Sequence, residues 1–145
     1  MPATIQAATA PAPIPSANAI PVSELRRVPR VYSYPACSTC RKALAWLKQQ
    51  AINVEVLDIT REPPSSEELE AGLQQLGRAR LFNTSGQSYR ALGAATVKGL
   101  SDAEALQALA ADGKLIKRPF LVTAEGRIST GFNPQEWTTL LEQAP

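Results

Sequence analysis

A Cys-x-x-Cys pair set between a short apolar run and a helical pattern constrains this chain more than any other feature. Cys37 and Cys40 are its only two cysteines. Val31-Tyr32 lies just before them. Cys40, Leu44, Leu47 and Ala51 then recur at i, i+4, i+7 and i+11, one face of a 3.6-residue helix. The pair therefore falls where a strand ends and a helix begins. Free backbone N–H groups and the positive end of the helix dipole favour a thiolate there. The i, i+3 spacing brings both side chains within bonding reach across one turn. Cys37 leads the helix and reads as a nucleophile; Cys40 lies on the core-facing stripe and reads as the resolving thiol. The bland alternative is a structural pair of buried small side chains. Zinc wants four ligands, and a chain with two cysteines and no histidine does not supply them, so no metal is expected.

The rest of the composition narrows the chemistry. A length of 145 residues suffices for one domain with a real core. The formal charge of +2 is carried by residues 1–30; residues 31–145 hold 12 basic and 12 acidic side chains. That balance gives no basic footprint for nucleic acid, and no apolar run approaches the length of a membrane span. Without histidine, Ser-His-Asp and Cys-His catalysis are excluded, which leaves thiolate, carboxylate, Lys/Arg or backbone donors. One isolated Cys-x-x-Cys motif points to a reducing compartment, and a cytoplasmic monomer without a cofactor is expected.

Residues 1–29 read as a disordered Ala/Pro-rich tail, since six of the twelve prolines lie there and such a segment cannot offset its ordering entropy. Ser23–Arg27 could add a turn of helix. The domain is expected over residues 30–145. Its first strand spans about Val31–Tyr34, its first helix about Cys37 to Gln50, and Val54–Ile59 is a second, β-branched strand. Such a unit predicts parallel strands with a right-handed crossover. Pro63-Pro64 breaks the chain. Ser65 with Glu68 and Ser101 with Glu104 are capping boxes that open two helices. Leu69, Leu73 and Leu76 stripe the first of these, and Gly77 closes it. Between them lie a turn at Asn83–Gly86 and a short helix at Tyr89–Leu92 ending at Gly93. Phe120–Thr123 and Arg127–Thr130 form a hairpin about Ala124-Glu125-Gly126. Asn133-Pro134-Gln135-Glu136 then starts a final helix with Trp137, Leu140 and Leu141 on its buried face.

The resulting order, βαβ, inserted helices, then ββα, describes an α/β protein with a thioredoxin-like, mixed four-stranded sheet and an inserted helical segment between its halves. Pro119 precedes the third strand. It is either an ordinary strand-edge proline or a cis proline facing the cysteine pair, and the surrounding motif favours the second.

Pro35-Ala36-Cys37-Ser38-Thr39-Cys40-Arg41-Lys42-Ala43, Ala45-Trp46-Leu47, Lys117-Arg118-Pro119 and Gly131-Phe132-Asn133 together resemble the arsenate-reductase-like family, which includes glutaredoxin-type arsenate reductases and the Spx/MgsR regulators. The resemblance spans about residues 30–143. It implies a nucleophile at Cys37, a helix-start arginine at Arg41 and a site arginine at Arg118 beside Pro119. Several positions depart from the reductase pattern. Ser33 stands where a histidine precedes the nucleophile, Asn83 where a substrate arginine is usual, and Phe132 where a further arginine follows the last strand. Cys40 is present, as in Spx-like members. Two functions follow from the resemblance. One is a thiol–disulfide or small-oxyanion reductase, with Cys37, Cys40 and Arg118 at the chemistry, Arg41, Asn83 and Pro119 around the substrate, and glutathione/glutaredoxin or thioredoxin as electron donor. The other is a redox-switched regulator that binds RNA polymerase without turnover. A degenerate structural domain is the third alternative. With only Arg118 clearly remaining of the anion-binding arginines, poor arsenate reduction is expected.

Overall fold

The computed structural model describes residues 28–142. The tail and the turn of helix expected at Ser23–Arg27 lie outside the described residues, except for the last positions before the first strand. Strand β1 (Arg30–Ser33) leads into helix α1 (Ser38–Gln49), strand β2 (Glu55–Asp58) and helix α2 (Ser66–Leu76). A 3₁₀ turn at Arg78–Arg80 and short helices α3 (Gln87–Leu92) and α4 (Ala94–Gly99) follow, then α5 (Asp102–Ala111). Strands β3 (Phe120–Val122) and β4 (Ile128–Thr130) and helix α6 (Pro134–Glu142) complete the order.

The sheet order is β2-β1-β3-β4. β1 runs parallel to β2, with Val31 opposite Val56, and antiparallel to β3, with Val31 opposite Leu121. β3 and β4 pair antiparallel through Leu121 and Ser129. This is the mixed four-stranded, thioredoxin-like sheet expected from the element order. Strand alternation divides the core into two layers. Val31 and Leu121 face Ala43 and Leu47 of α1 and Trp137 and Leu140 of α6. Tyr32, Phe120, Val122 and Ile128 face the other way, onto Leu69 of α2 and Ala105 and Leu109 of α5.

Local signals explain the helix starts. Both capping boxes form, at Ser65 with Glu68 and at Ser101 with Glu104. Asn133 Oδ1 accepts from the N–H groups of Gln135 and Glu136 and opens α6. Glu68 does a second job: it also accepts from Tyr32 Oη at 2.8 Å and from Arg30, fastening α2 to β1. Two expectations shift. α1 ends one residue early, at Gln49, and Ala51 leaves the helical face with φ 57°, exposed; Ala43 takes the buried place in the stripe. The second strand is two residues shorter at its ends, and its Val56 is 48% exposed because β2 is a sheet edge. Helix α4 was not expected.

The inserted segment docks where the site forms. Phe82 bridges Ile116, the Asn83 N–H donates to the Leu115 carbonyl at 2.7 Å, and the Lys117 N–H donates to the Leu81 carbonyl at 2.8 Å. These bonds lay the Asn83 turn beside the loop that enters β3.

Candidate active site

The site starts with a turn. The Cys37 N–H donates to the Tyr34 carbonyl at 2.9 Å, which carries the chain from the end of β1 to the start of α1. Cys37 is the N-cap of α1, with extended φ and ψ of −89° and 117°. Its Sγ takes the place usually held by a Ser, Thr or Asp oxygen and accepts from the Cys40 N–H at 3.4 Å. Cys37 is partly exposed; Cys40 is 1% exposed, one turn behind it. Both are free thiols.

Opposite pulls set the two acidities. Burial alone would raise the Cys37 thiol. Hydrogen bonds from the Cys40 thiol and backbone N–H, with the positive charge of Arg118, outweigh it and bring Cys37 below the ordinary thiol value. Burial pushes Cys40 up to about 12, and donating its proton to Cys37 reinforces that rise. The pair is thus polarised: the accessible thiol is the more acidic of the two and the buried thiol the less.

Arg118 approaches from the other side of the fold. The Arg118–Pro119 bond is cis, in keeping with the favoured sequence reading. Its guanidinium lies 4.9 Å from the centre of the Tyr34 ring, within cation–π range, and Nη1 donates to the Lys114 carbonyl at a long 3.4 Å. Nε is buried without a hydrogen-bond partner. A donor left unmade in this way is costly.

An open cleft of about 880 Å³ adjoins these groups. Cys37, Ser38 and Thr39 line it from the start of α1; Arg80, Asn83, Ser85 and Gly86 from the inserted segment; Lys117 and Arg118 from the loop before β3; and Thr130 to Asn133 with Glu136 from the end of β4 and α6. Asn83 therefore lies in the cleft, its Oδ1 accepting from Ser85 Oγ at 3.2 Å. Gly86 makes room for it, because a Cβ there would stand 2.7 Å from Asn83 Nδ2. Phe132 gives the cleft an aromatic wall backed by Trp137 and Trp46, at ring distances of 5.1 and 5.6 Å.

The other named residues sit elsewhere. Arg41 is exposed and absent from the cleft lining; its Nη1 donates to the Pro35 carbonyl at 2.8 Å, which braces the turn ahead of Cys37. Pro119 is fully buried and shapes the loop from below. Tyr34, Arg80, Lys117 and Glu136 are the cleft or near-cleft residues that sequence reasoning missed as functional. The signal available was weak: basic residues in the two segments flanking Asn83 and Pro119. Among the described residues no group of three Cys, Asp or Glu could hold a metal ion.

A thiol at the N-terminus of the first helix, beside a cis-proline loop on this sheet, defines a thioredoxin-like α/β thiol protein. Residues 32–140 match the ArsC family model, and the chain belongs to the ArsC family. Among its relatives, the uncharacterized protein YusI of Bacillus subtilis (strain 168) is 39% identical over 109 residues, covering 73% of this chain and 92% of YusI. The regulatory protein MgsR of the same organism is 34% identical over 107 residues, covering 72% and 83%. The crystal structure of a possible arsenate reductase from Streptococcus mutans UA159 superposes with a TM-score of 0.71 at 39% identity, covering 77% of this chain and 98% of the other.

Proposed function

We propose that this protein is a thiol–disulfide redox protein in which Cys37 attacks and Cys40 resolves. The observation that carries the reading is the asymmetry of the pair: Cys37 caps α1 and faces the cleft with its thiol held low, while Cys40 is buried behind it with its thiol held high. In the first step the Cys37 thiolate attacks a disulfide R–S–S–R′. A Cys37–S–S–R bond forms, the S–S bond of the substrate breaks, and R′S⁻ leaves with the electron pair. Cys40 then gives its proton to the released R′S⁻, which leaves as R′SH, and attacks Cys37 Sγ. The Cys37–Cys40 bond forms, RS⁻ departs, and the substrate has gained the two electrons that the dithiol has lost. An external thiol such as glutathione/glutaredoxin or thioredoxin returns the pair to its reduced state. Arg118 steadies the thiolate, Asn83 offers a neutral polar contact to the substrate, and Arg41 and Pro119 hold the two loops in place.

The test is covalent trapping. A Cys40→Ser variant should accumulate disulfide-linked partners on Cys37 that a reductant releases, and a Cys37→Ser variant should accumulate none. Trapping on Cys40 in the Cys37→Ser variant at an equal rate would refute the assignment.

A second reading is favoured by the 34% identity to a protein named as a regulator, MgsR. In it the same Cys37–Cys40 oxidation switches a surface that binds RNA polymerase, with no turnover. Turnover with a thiol donor against redox-dependent capture of polymerase separates the two.

A further inference from the structure

The cleft beside Cys37 holds three cationic side chains, Arg80, Lys117 and Arg118, and one acid, Glu136. Ion pairing treats them differently. Among the described residues Arg118 and Lys117 have no carboxylate partner, whereas Arg80 has one. Arg80 Nη1 and Nη2 each donate to Glu136 at 3.1 Å, through separate oxygens, in the bidentate fork that suits guanidinium and carboxylate. Nη2 also donates to the Thr130 carbonyl at 2.9 Å. Glu136 is pinned in turn by Ser129 Oγ, which donates at 2.9 Å, and by its place in the first turn of α6. Hydrogen bonding to Arg80 and Ser129 holds the Glu136 carboxyl below the usual range despite some burial, so it stays ionised at neutral pH.

A tetrahedral dianion bound beside Cys37 needs forked cationic donors. Arg80 is the arginine that the inserted segment brings to this cleft, three residues before Asn83, but its fork is already filled. We propose that Glu136 is a specificity-determining residue: by holding and neutralising Arg80, it turns dianionic oxyanions away from the cleft and leaves Cys37 to thiols and disulfides of lower charge. The proposal rests on the reading of Cys37 as the attacking thiol and deepens it by naming what the site rejects. Glu136 acts twice, since it occupies the donors and also presents like charge to an entering anion; a built-in repulsive element of this kind is how sites discriminate between partners.

Inorganic phosphate is the probe, as an unreactive tetrahedral anion. The measurement is its protection of Cys37 from iodoacetamide at fixed ionic strength, paired with calorimetric titration of phosphate. Glu136→Gln keeps the side-chain shape and removes the charge. It should lower the phosphate concentration needed for half-protection about tenfold, as expected for one released charge near the anion at an effective dielectric between protein surface and water. The Arg80→Gln/Glu136→Gln double variant should return to the wild-type value, because the pair carries no net charge. Unchanged phosphate affinity in a Glu136→Gln protein with a native-like melt would overturn the proposal. So would a gain that persists in the double variant, since Arg80 would then not be the group released. If the single variant does not fold, the double variant decides. Wild-type affinity supports the proposal; a marked loss shows that Arg80 already holds anions beside Glu136 and overturns it. Calorimetry reads phosphate without Cys37, so an unreactive Cys37 would sink the redox reading alone.

Discussion

Replacing Arg118 with glutamine should change the pH profile of Cys37 in a way that a merely structural arginine would not. The side chain is well placed for an electrostatic role. No carboxylate among the described residues pairs with it, it is braced by the Tyr34 ring at 4.9 Å, and its hydrogen bond to the Lys114 carbonyl is long at 3.4 Å. Its charge therefore acts on the cleft uncompensated. Two unit charges a few ångströms apart interact by about 1–2 kcal/mol at an effective dielectric between the surface and bulk-water cases, and the partial exposure of Cys37 argues for the lower end. A loss of about 1 kcal/mol reduces the thiolate fraction about fivefold below the thiol's titration range. The less stabilised thiolate is also intrinsically more nucleophilic, which recovers about twofold of that. Iodoacetamide should thus modify Arg118→Gln about two- to threefold more slowly at low pH and somewhat faster than wild type once Cys37 is ionised in both proteins. The two rate profiles should cross, and Arg118→Lys should fall between them. Added salt should slow wild type at low pH and leave Arg118→Gln nearly unaffected. Parallel profiles that never cross would refute an electrostatic role for Arg118.

Other consequences follow from the packing and the cleft. Trp137 is fully buried between the sheet and α1, so Trp137→Ala should cost about 3–5 kcal/mol in urea unfolding. Burial pushes the Glu68 carboxyl up, but hydrogen bonds from Arg30, the Ser65 N–H and Tyr32 outweigh it and hold the carboxyl below the ordinary range. A depressed acid stabilises above its unfolded pKa and loses that contribution as pH falls through its folded value; Glu68→Gln should therefore cost about 2 kcal/mol at neutral pH and flatten the acid limb of a stability–pH curve. Arsenate reduction with glutathione and glutaredoxin, or with thioredoxin, should be orders of magnitude slower than that of a known arsenate reductase, because Asn83 and Phe132 bring no charge to the cleft and Glu136 holds Arg80; comparable efficiency would contradict this.

Much of this architecture was legible because its signals are local. A strand, two cysteines and an apolar stripe within twenty residues place Cys37 at a helix start, and the cap residues Ser65, Ser101 and Asn133 act on backbone groups two or three positions away. Helix α4 was not legible, since Ala-Ala-Thr-Val-Lys-Gly has no capping side chain and follows Gly93 at φ 90°. Ala51 was misplaced because periodicity cannot see that the chain turns left-handed to reach β2. The cleft wall escaped for a different reason. Arg80 and Glu136 are 56 residues apart, and each has an ordinary local reading, one as a loop cation and the other as the third residue of a capped helix. The docking of Phe82 against Ile116, with the backbone bonds of Asn83 to Leu115 and Lys117 to Leu81, brings the inserted segment beside the loop that enters β3, and no spacing in the chain announces such long-range contacts.

Mass spectrometry of the reduced protein after a brief exposure to one equivalent of a disulfide tests the central claim most directly. Attack by Cys37 and resolution by Cys40 predict a transient adduct on Cys37, then a monomer that has lost two hydrogens and carries a Cys37–Cys40 bond. That bond closes a very small loop, so it should add little stability and act chemically. The product should not form in Cys37→Ser, and Cys40→Ser should stop at the adduct. Adducts confined to Cys40, or oxidation that yields only dimers linked between chains, would contradict the account.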